Sequence, residues 1–230
     1  MIRENIFRIR EQITSACSKI NRDPTEIAIV AVTKNRSLAQ IKEAVDAGMY
    51  DIGENRVQEA AVKFKDLQPA ISDSQLRWHM VGHLQTNKVK EAVSMFVCIQ
   101  SVDSLRLAEE INKQAARIDK VQNIMLEVKT SPEATKFGLK PQEVLATVEG
   151  FTRLKNLKVL GLMTIAPWFD DAEQARPYFR QLRQLRDEIN SSSALGYRIS
   201  DLSMGMTDDF TVAIEEGSTM LRLGRAIFED

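Results

Sequence analysis

A strand-like run followed by a helical one recurs eight times along these 230 residues, and that alternation decides the fold. Strands are expected near 27–33, 50–53, 76–81, 96–102, 123–128, 158–163, 199–203 and 219–223. Helical spacing follows near 37–48, 57–67, 87–93, 104–118, 141–149, 172–190 and 208–216, with a short helix from Ala226. The run from Ile27 to Val32 is apolar throughout, as befits a strand buried on both faces of a parallel sheet. Ser37 with Gln40 gives a capping-box pattern at the next helix, which Gly48 ends. Ahead of the repeat, Ile2, Ile6, Ile9, Ile13, Ala16 and Ile20 fall three or four apart and make one apolar helix face. Asn21-Arg22-Asp23-Pro24 stops that helix. Eight strand–helix pairs predict a single (β/α)8 barrel domain over residues 1–230 with an additional N-terminal helix. The alternative, a doubly wound open sheet, would carry a Gly-x-Gly-x-x-Gly turn, which this chain lacks.

Composition narrows the functions. With 43% hydrophobic and 27% charged residues the chain can bury a sizeable core, which excludes disorder. Basic residues number 31 and acidic ones 32, a balance that leaves no footprint for nucleic acid or an anionic membrane. The longest apolar run is far too short to span a bilayer, and Met1-Ile2-Arg3-Glu4-Asn5 does not read as a secretory signal. Cys17 and Cys98 fall at apolar positions and read as buried thiols rather than a disulfide. A cytoplasmic monomer is expected.

In a barrel of this kind chemistry sits at the C-terminal ends of the strands. There the sequence puts Lys34, Asn35 and Arg36 after the first strand, Glu54 and Asn55 after the second, and Gly82, His83 and Gln85 after the third. Ser101 and Asp103 lie beyond the fourth, Thr164 after the sixth, Met204 to Thr207 after the seventh, and Gly224 and Arg225 after the eighth, which contains Arg222. Lys34 follows six apolar residues and a threonine. Its stem is expected to leave a buried strand, where desolvation lowers the amine's pKa and makes a nucleophile suited to a Schiff base. The plainer alternative is a lysine that reaches the rim or pairs with Glu54.

In Ser203-Met204-Gly205-Met206-Thr207-Asp208-Asp209 the glycine allows a ligand close to the backbone, Ser203 and Thr207 add hydroxyls, and a helix start follows. Together with Gly224 this matches the phosphate site that barrels build after strands seven and eight. A simple helix cap at Thr207 or Asp208 is the alternative, and both can hold. Asp208 and Asp209 oppose an anion unless they point away. His79 and His83 read as a packed strand histidine and a rim histidine. No His-Glu-x-x-His, Gly-x-Ser-x-Gly or Walker pattern occurs, so neither a metal site nor those chemistries is indicated.

Six ordered segments then carry a resemblance: Ala31-Val32-Thr33-Lys34; Gly53-Glu54-Asn55-Arg56-Val57-Gln58-Glu59; Trp78 through Lys88; Gly161-Leu162-Met163-Thr164-Ile165; Leu202 through Asp209; and Gly217 through Gly224. Together they closely resemble the pyridoxal phosphate homeostasis protein family over nearly the whole chain. That family in turn is similar to the N-terminal barrel of alanine racemase and of fold-type III decarboxylases. The resemblance implies that Lys34 forms an internal aldimine with pyridoxal 5'-phosphate (PLP). It implies that Ser203, Gly205, Met206 and Thr207, with backbone groups of Gly224 and Arg225, hold the phosphate. Arg222 would face the pyridine nitrogen, Asn55 the ring's hydroxyl side, and His79 and Met163 would line the pocket.

Three departures stand out. Arg225 replaces a residue that is often small or acidic, Lys129 stands where asparagine is expected (although Lys136-Phe137-Gly138 keeps the later Lys-x-Gly pattern), and the chain ends Ile227-Phe228-Glu229-Asp230 where a glycine and a basic tail are usual. The phosphate side is therefore expected to be more open.

Function then divides between a carrier and an enzyme. An arginine at the ring nitrogen disfavours its protonation and weakens the ring as an electron sink. A two-base racemase also needs a second base opposite Lys34, and the sequence identifies none; Tyr50, Tyr178 and Tyr197 all fall away from the expected mouth. The resemblance implies a non-catalytic carrier that buffers PLP in vitamin B6 homeostasis, with PLP-dependent apoenzymes as recipients. A small PLP-dependent racemase or lyase is the alternative, and a Schiff-base aldolase on a sugar phosphate a third.

Overall fold

Apolar alternation produces the strands, and their order closes them into a ring. The computed structural model describes residues 1–67, 76–131, 133 and 137–229. Strands β1 (Ala28–Val32), β2 (Asp51–Glu54), β3 (Arg77–Met80), β4 (Cys98–Val102), β5 (Gln122–Glu127), β6 (Leu157–Met163), β7 (Asp201–Ser203) and β8 (Met220–Leu223) form a closed barrel in sequence order. Every pairing is parallel, and the ring closes with Ala28 opposite Met220. The expected (β/α)8 architecture is the one observed.

Helices α1 (Ile2–Lys19), α2 (Leu38–Asp46), α3 (Val57–Leu67), α4 (Val89–Met95), α5 (Leu105–Ala116), α6 (Pro141–Phe151), α7 (Arg176–Ser192), α8 (Phe210–Glu215) and α9 (Arg225–Phe228) surround it. The main core lies between the outward faces of the strands and the inward stripes of these helices. Ile52, Trp78, Ile99, Leu126, Leu162 and Leu221 belong to it, each buried. Full burial of such a side chain contributes roughly 1.5–3 kcal/mol, so this layer supplies most of the driving force.

Helix α1 uses the expected stripe, Ile2, Ile6, Ile9, Ile13 and Ala16, with Cys17 beside it. It packs on α8 and α9, and Asn5 donates to the carbonyls of Ile227 (3.2 Å) and Glu229 (3.0 Å). Ile20 departs from the stripe because the helix has already ended, and it is 38% exposed. The capping box at α2 forms as expected, with Ser37 and Gln40 satisfying each other's backbone. Strand β1 starts later than expected because Asp23 caps a short 3-10 turn, Pro24–Glu26. Helix α8 also starts later, because the residues before it are held in turns by Asp209. Both cysteines are buried and free.

The barrel interior divides in two. Cys98, Met125 and Met163 make a small apolar cluster with Leu160, Ile165 and Met220. The rest is polar. A register shift in β5 sets Met125 opposite Gly161, where a Cβ would stand 1.8 Å from the Asp201 carbonyl oxygen, so only glycine fits. Among the described residues no helix is long and apolar enough to cross a membrane.

Candidate functional site

Lys34 sits on a braced turn. After β1 the chain turns sharply: the Arg36 N–H donates to the Thr33 carbonyl (3.0 Å), and Asn35 takes a positive φ of 58°. Such a φ is uncommon outside glycine, and asparagine tolerates it best. Beneath the turn, the Lys63 ammonium of α3 donates to the Thr33 carbonyl (2.6 Å), to Glu54 (2.7 Å) and to Glu59 (2.6 Å). Glu59 also accepts from the Asn35 N–H (2.8 Å), and the Thr33 hydroxyl donates to Glu54 (2.5 Å). Burial pushes Glu54 above the usual carboxylate range, while Lys63 and Thr33 hold it back.

Two expectations change here. Glu54 ends β2 and faces α3, so it pairs with Lys63 and not with Lys34. The Lys34 side chain is exposed, so the desolvation expected for its stem is absent. Its amine has no hydrogen-bond or ion-pair partner among the described residues.

The seventh and eighth strand ends form a cradle of amides. Gly205 has φ +96°, and a Cβ there would lie 2.6 Å from the Ala213 Cβ. The N–H groups of Gly205, Thr207, Gly224 and Arg225 find no acceptor among the described residues. Unpaired backbone donors gathered like this await an anion. The Met206 N–H is not one of them, because it donates to Asp209 Oδ1 (2.6 Å). The Thr207 hydroxyl accepts from the Ala226 N–H (3.2 Å) and keeps its own proton to donate. Both acids are engaged within the loops: Asp209 accepts from the Met206 N–H, and Asp208 pairs with the Arg225 side chain (2.5 Å). The helices that follow span only six and four residues, so the amides themselves, more than helix dipoles, make the cradle.

Arg222 lies buried below. It donates to the Ser203 hydroxyl (2.6 Å) and to the Thr164 carbonyl (2.7 Å). Burial pushes its guanidinium down to about 10, against the pull of Glu127 and Asp209. Ser203 in turn donates to Gln100 Oε1 (2.7 Å), so its hydroxyl orients Arg222 and adds no donor to the cradle. The line continues through the barrel. The Gln100 amide meets His79 Nδ1 (3.1 Å), and His79 Nε2 meets Asp51 Oδ1 (2.9 Å). Asp51 also accepts from Arg77 at both oxygens (2.7 and 2.6 Å) on the opposite face. Burial would raise Asp51, but the bonds from His79 and Arg77 win and bring it to about 2. His79 and Met163 therefore lie inside the barrel beneath the mouth, both buried.

Asn55 is half-buried at the mouth and borders two cavities. The larger, about 660 Å³, is lined by Arg56, Gln58, Gln85 and Lys88 among others. The smaller, about 300 Å³, lies between His83, Phe137, Ile165 and Glu127. His83 is a rim residue as expected, stacked on Phe137 with ring centroids 3.7 Å apart and 3.2 Å from Asp103. Tyr197 accepts from the Val159 N–H at the start of β6, far from the mouth, and Tyr50 borders a cleft on that same opposite face. Tyr178 stacks on Phe169 outside the barrel. Lys136 lies outside the described residues.

Lys63, Gln100, Asp51 and Glu127 were missed by sequence reasoning. Glu127 had a usable signal: it ends the apolar run Ile124-Met125-Leu126, just as Lys34 follows its own. It ends β5, which lies four strands from β1 in either direction, and so stands across the mouth from Lys34.

An exposed amine, a cradle of free amides and a buried cation at one mouth fit a phosphorylated aldehyde. A family model described as alanine racemase, N-terminal domain, matches residues 5–230. A pyridoxal phosphate homeostasis protein of Aquifex aeolicus (strain VF5) is 41% identical over 225 residues, covering 98% of this chain and 96% of the relative. The chain belongs to the pyridoxal phosphate homeostasis protein family. Another member, from Pseudomonas aeruginosa, is 36% identical over 227 residues, 99% of this chain and 94% of its own length. PipY of Synechococcus elongatus PCC7942 is similar in structure, with a TM-score of 0.88 and 35% identity over 99% of this chain and 100% of PipY. PipY has been solved both without and with PLP bound.

Proposed function

We propose that this chain holds pyridoxal 5'-phosphate at the barrel mouth and acts as a non-catalytic PLP carrier in intracellular vitamin B6 homeostasis. One observation carries the reading: Lys34 presents an unpaired amine on a braced turn at the same mouth as a cradle of unpaired amides. When bound, PLP supplies an aldehyde for a primary amine and a ring that can take up electrons. Lys34 provides the covalent hold. The amides of Gly205, Thr207, Gly224 and Arg225, with the Thr207 hydroxyl, take the phosphate. Arg222 meets the ring nitrogen with its orientation set by Ser203 and Thr164, and Asn55 takes the hydroxyl side. His79 and Met163 support the floor. Ser203 and Met206 serve by shaping the loop. The chain acts as one barrel domain and as a monomer in the cytoplasm, with PLP-dependent apoenzymes receiving the cofactor.

The test is an absorption spectrum before and after borohydride with mass mapping. A pyridoxyl group fixed on Lys34, absent in Lys34→Ala, is expected; label mainly on Lys88 or Lys129 sinks the assignment. One observation favours a second reading, a small amino-acid racemase or lyase: Glu127 supplies an acid–base group opposite Lys34, and proton exchange on two faces needs two such groups. Incubation with L- and D-amino acids in deuterated water separates the two. Racemisation at about 1–1,000 per second, the range of ordinary enzymes, makes it an enzyme.

A further inference from the structure

Glu127 closes β5, is 7% exposed, and borders the 300 Å³ cavity at the mouth. Its carboxyl has no hydrogen-bond or ion-pair partner among the described residues. Among the described residues the other deeply buried acids each have a partner: Glu54 has Lys63, Glu216 has Arg176, Arg180 and Arg183, and Asp209 has the Met206 N–H. With no donor from the described residues, the carboxyl takes its hydrogen bonds from whatever occupies the cavity it borders. The arrangement is completed by a donor that arrives from the cavity.

We propose that Glu127 is the anchor of a second ligand subsite at the mouth, which takes a primary ammonium group. The cavity supports that chemistry. Val81, Val128, Phe137 and Ile165 give it apolar walls for an alkyl stem, and Glu127 gives it a carboxyl acceptor. Arg222 faces Glu127 from β8 but spends donors on Ser203 and Thr164. Asp103, from the segment after β4, adds negative charge nearby and is itself matched with His83 at the rim. Lys129 follows on the same segment and borders the cavity. Burial, with the neighbouring Asp103, raises Glu127 to about 7. At neutral pH the free carboxyl is therefore partly protonated, and an arriving ammonium drives its proton off. The ammonium can belong to a free amino acid or to the side chain of a protein lysine; the contact with Glu127 is the same. The subsite adjoins the proposed cofactor site through Asn55, which borders the same cavity, but it takes its ligand on Glu127 and needs neither the Lys34 amine nor the amide cradle, so a Lys34→Ala chain tests it apart from the cofactor reading.

Titration calorimetry of the Lys34→Ala chain at pH 7, run in two buffers of different ionisation enthalpy, tests it. The probes are ethylamine, glycine, N-acetyl-lysine methylamide and, as a control, propionate. The ammonium probes should bind with release of a fraction of a proton, and propionate should not. Glycine binding without the lysine derivative assigns the subsite to free amino acids, and the reverse assigns it to a lysine side chain. Adding Glu127→Gln should weaken binding about tenfold or more, as loss of an ionic hydrogen bond requires, and abolish the proton release. An unfolding midpoint no lower than that of the Lys34→Ala parent shows the double variant folded. Unchanged affinity in the glutamine variant, equal binding of propionate, or no binding of any ammonium probe would overturn the proposal.

Discussion

At pH 8 the Glu127 side chain has mostly lost its proton in a place where no described residue offers the anion a hydrogen bond. Its acid constant is about 7 when folded against 4.5 for the free group, so the native state holds the extra proton between those values and stability falls as pH rises through them. Glu127→Gln removes the penalty. Relative to wild type it should gain up to about 3 kcal/mol above pH 7 and nothing comparable below pH 4.5, read from denaturant midpoints. Equal gains at both pH values would show that the carboxyl is not the cause. Gly205 acts through space, not charge. Gly205→Val strains a positive φ and meets Ala213, so PLP should bind far more weakly while pyridoxal without phosphate loses little. Each hydrogen bond lost to the phosphate is worth roughly 1.5–3 kcal/mol, and equal affinity of wild type for the two compounds would rule the cradle out.

The turn after β1 owes its shape to α3. Lys63→Met leaves Glu54 buried without its cation and should cost about 3–5 kcal/mol in unfolding free energy. Adding Glu54→Leu should recover much of it, because the stranded charge goes too; a double variant as unstable as the single would place the cost elsewhere. This brace was hidden from sequence reasoning for a simple reason. A lysine inside a helix reads as solvent-facing, and nothing in linear spacing says that Lys63 turns in toward a glutamate nine residues earlier. Elements with a local code were readable: the apolar run of β1, the Ser37–Gln40 capping box, and the isoleucine stripe of α1. So was the position of Lys34 and of the Gly205 loop at one mouth, because barrel topology fixes which strand ends meet. What could not be read were the contacts made by side chains on different strands, such as Gln100 with His79, and the capping by Asp209 that takes the Met206 amide.

Across the whole barrel, the line from Arg222 to Asp51 has a determined sense. Arg222 can only donate, so Ser203 passes its own proton to Gln100 Oε1. Gln100 must then present its amide to His79 Nδ1, and His79 donates from Nε2 to Asp51. Nitrogen-15 NMR of His79 should show the Nε2–H form; an Nδ1–H signal would mean the line runs otherwise. Its two ends are pinned, a pure donor at one and an ionised acceptor at the other. A single file of protons conducts only if every member can turn over after a proton has passed, and here neither end can. This line, polar though it is, does not relay a proton. The cleft on the opposite face, where Arg77 holds Asp51, is joined to Arg222 by hydrogen bonds and yet passes it no proton along them.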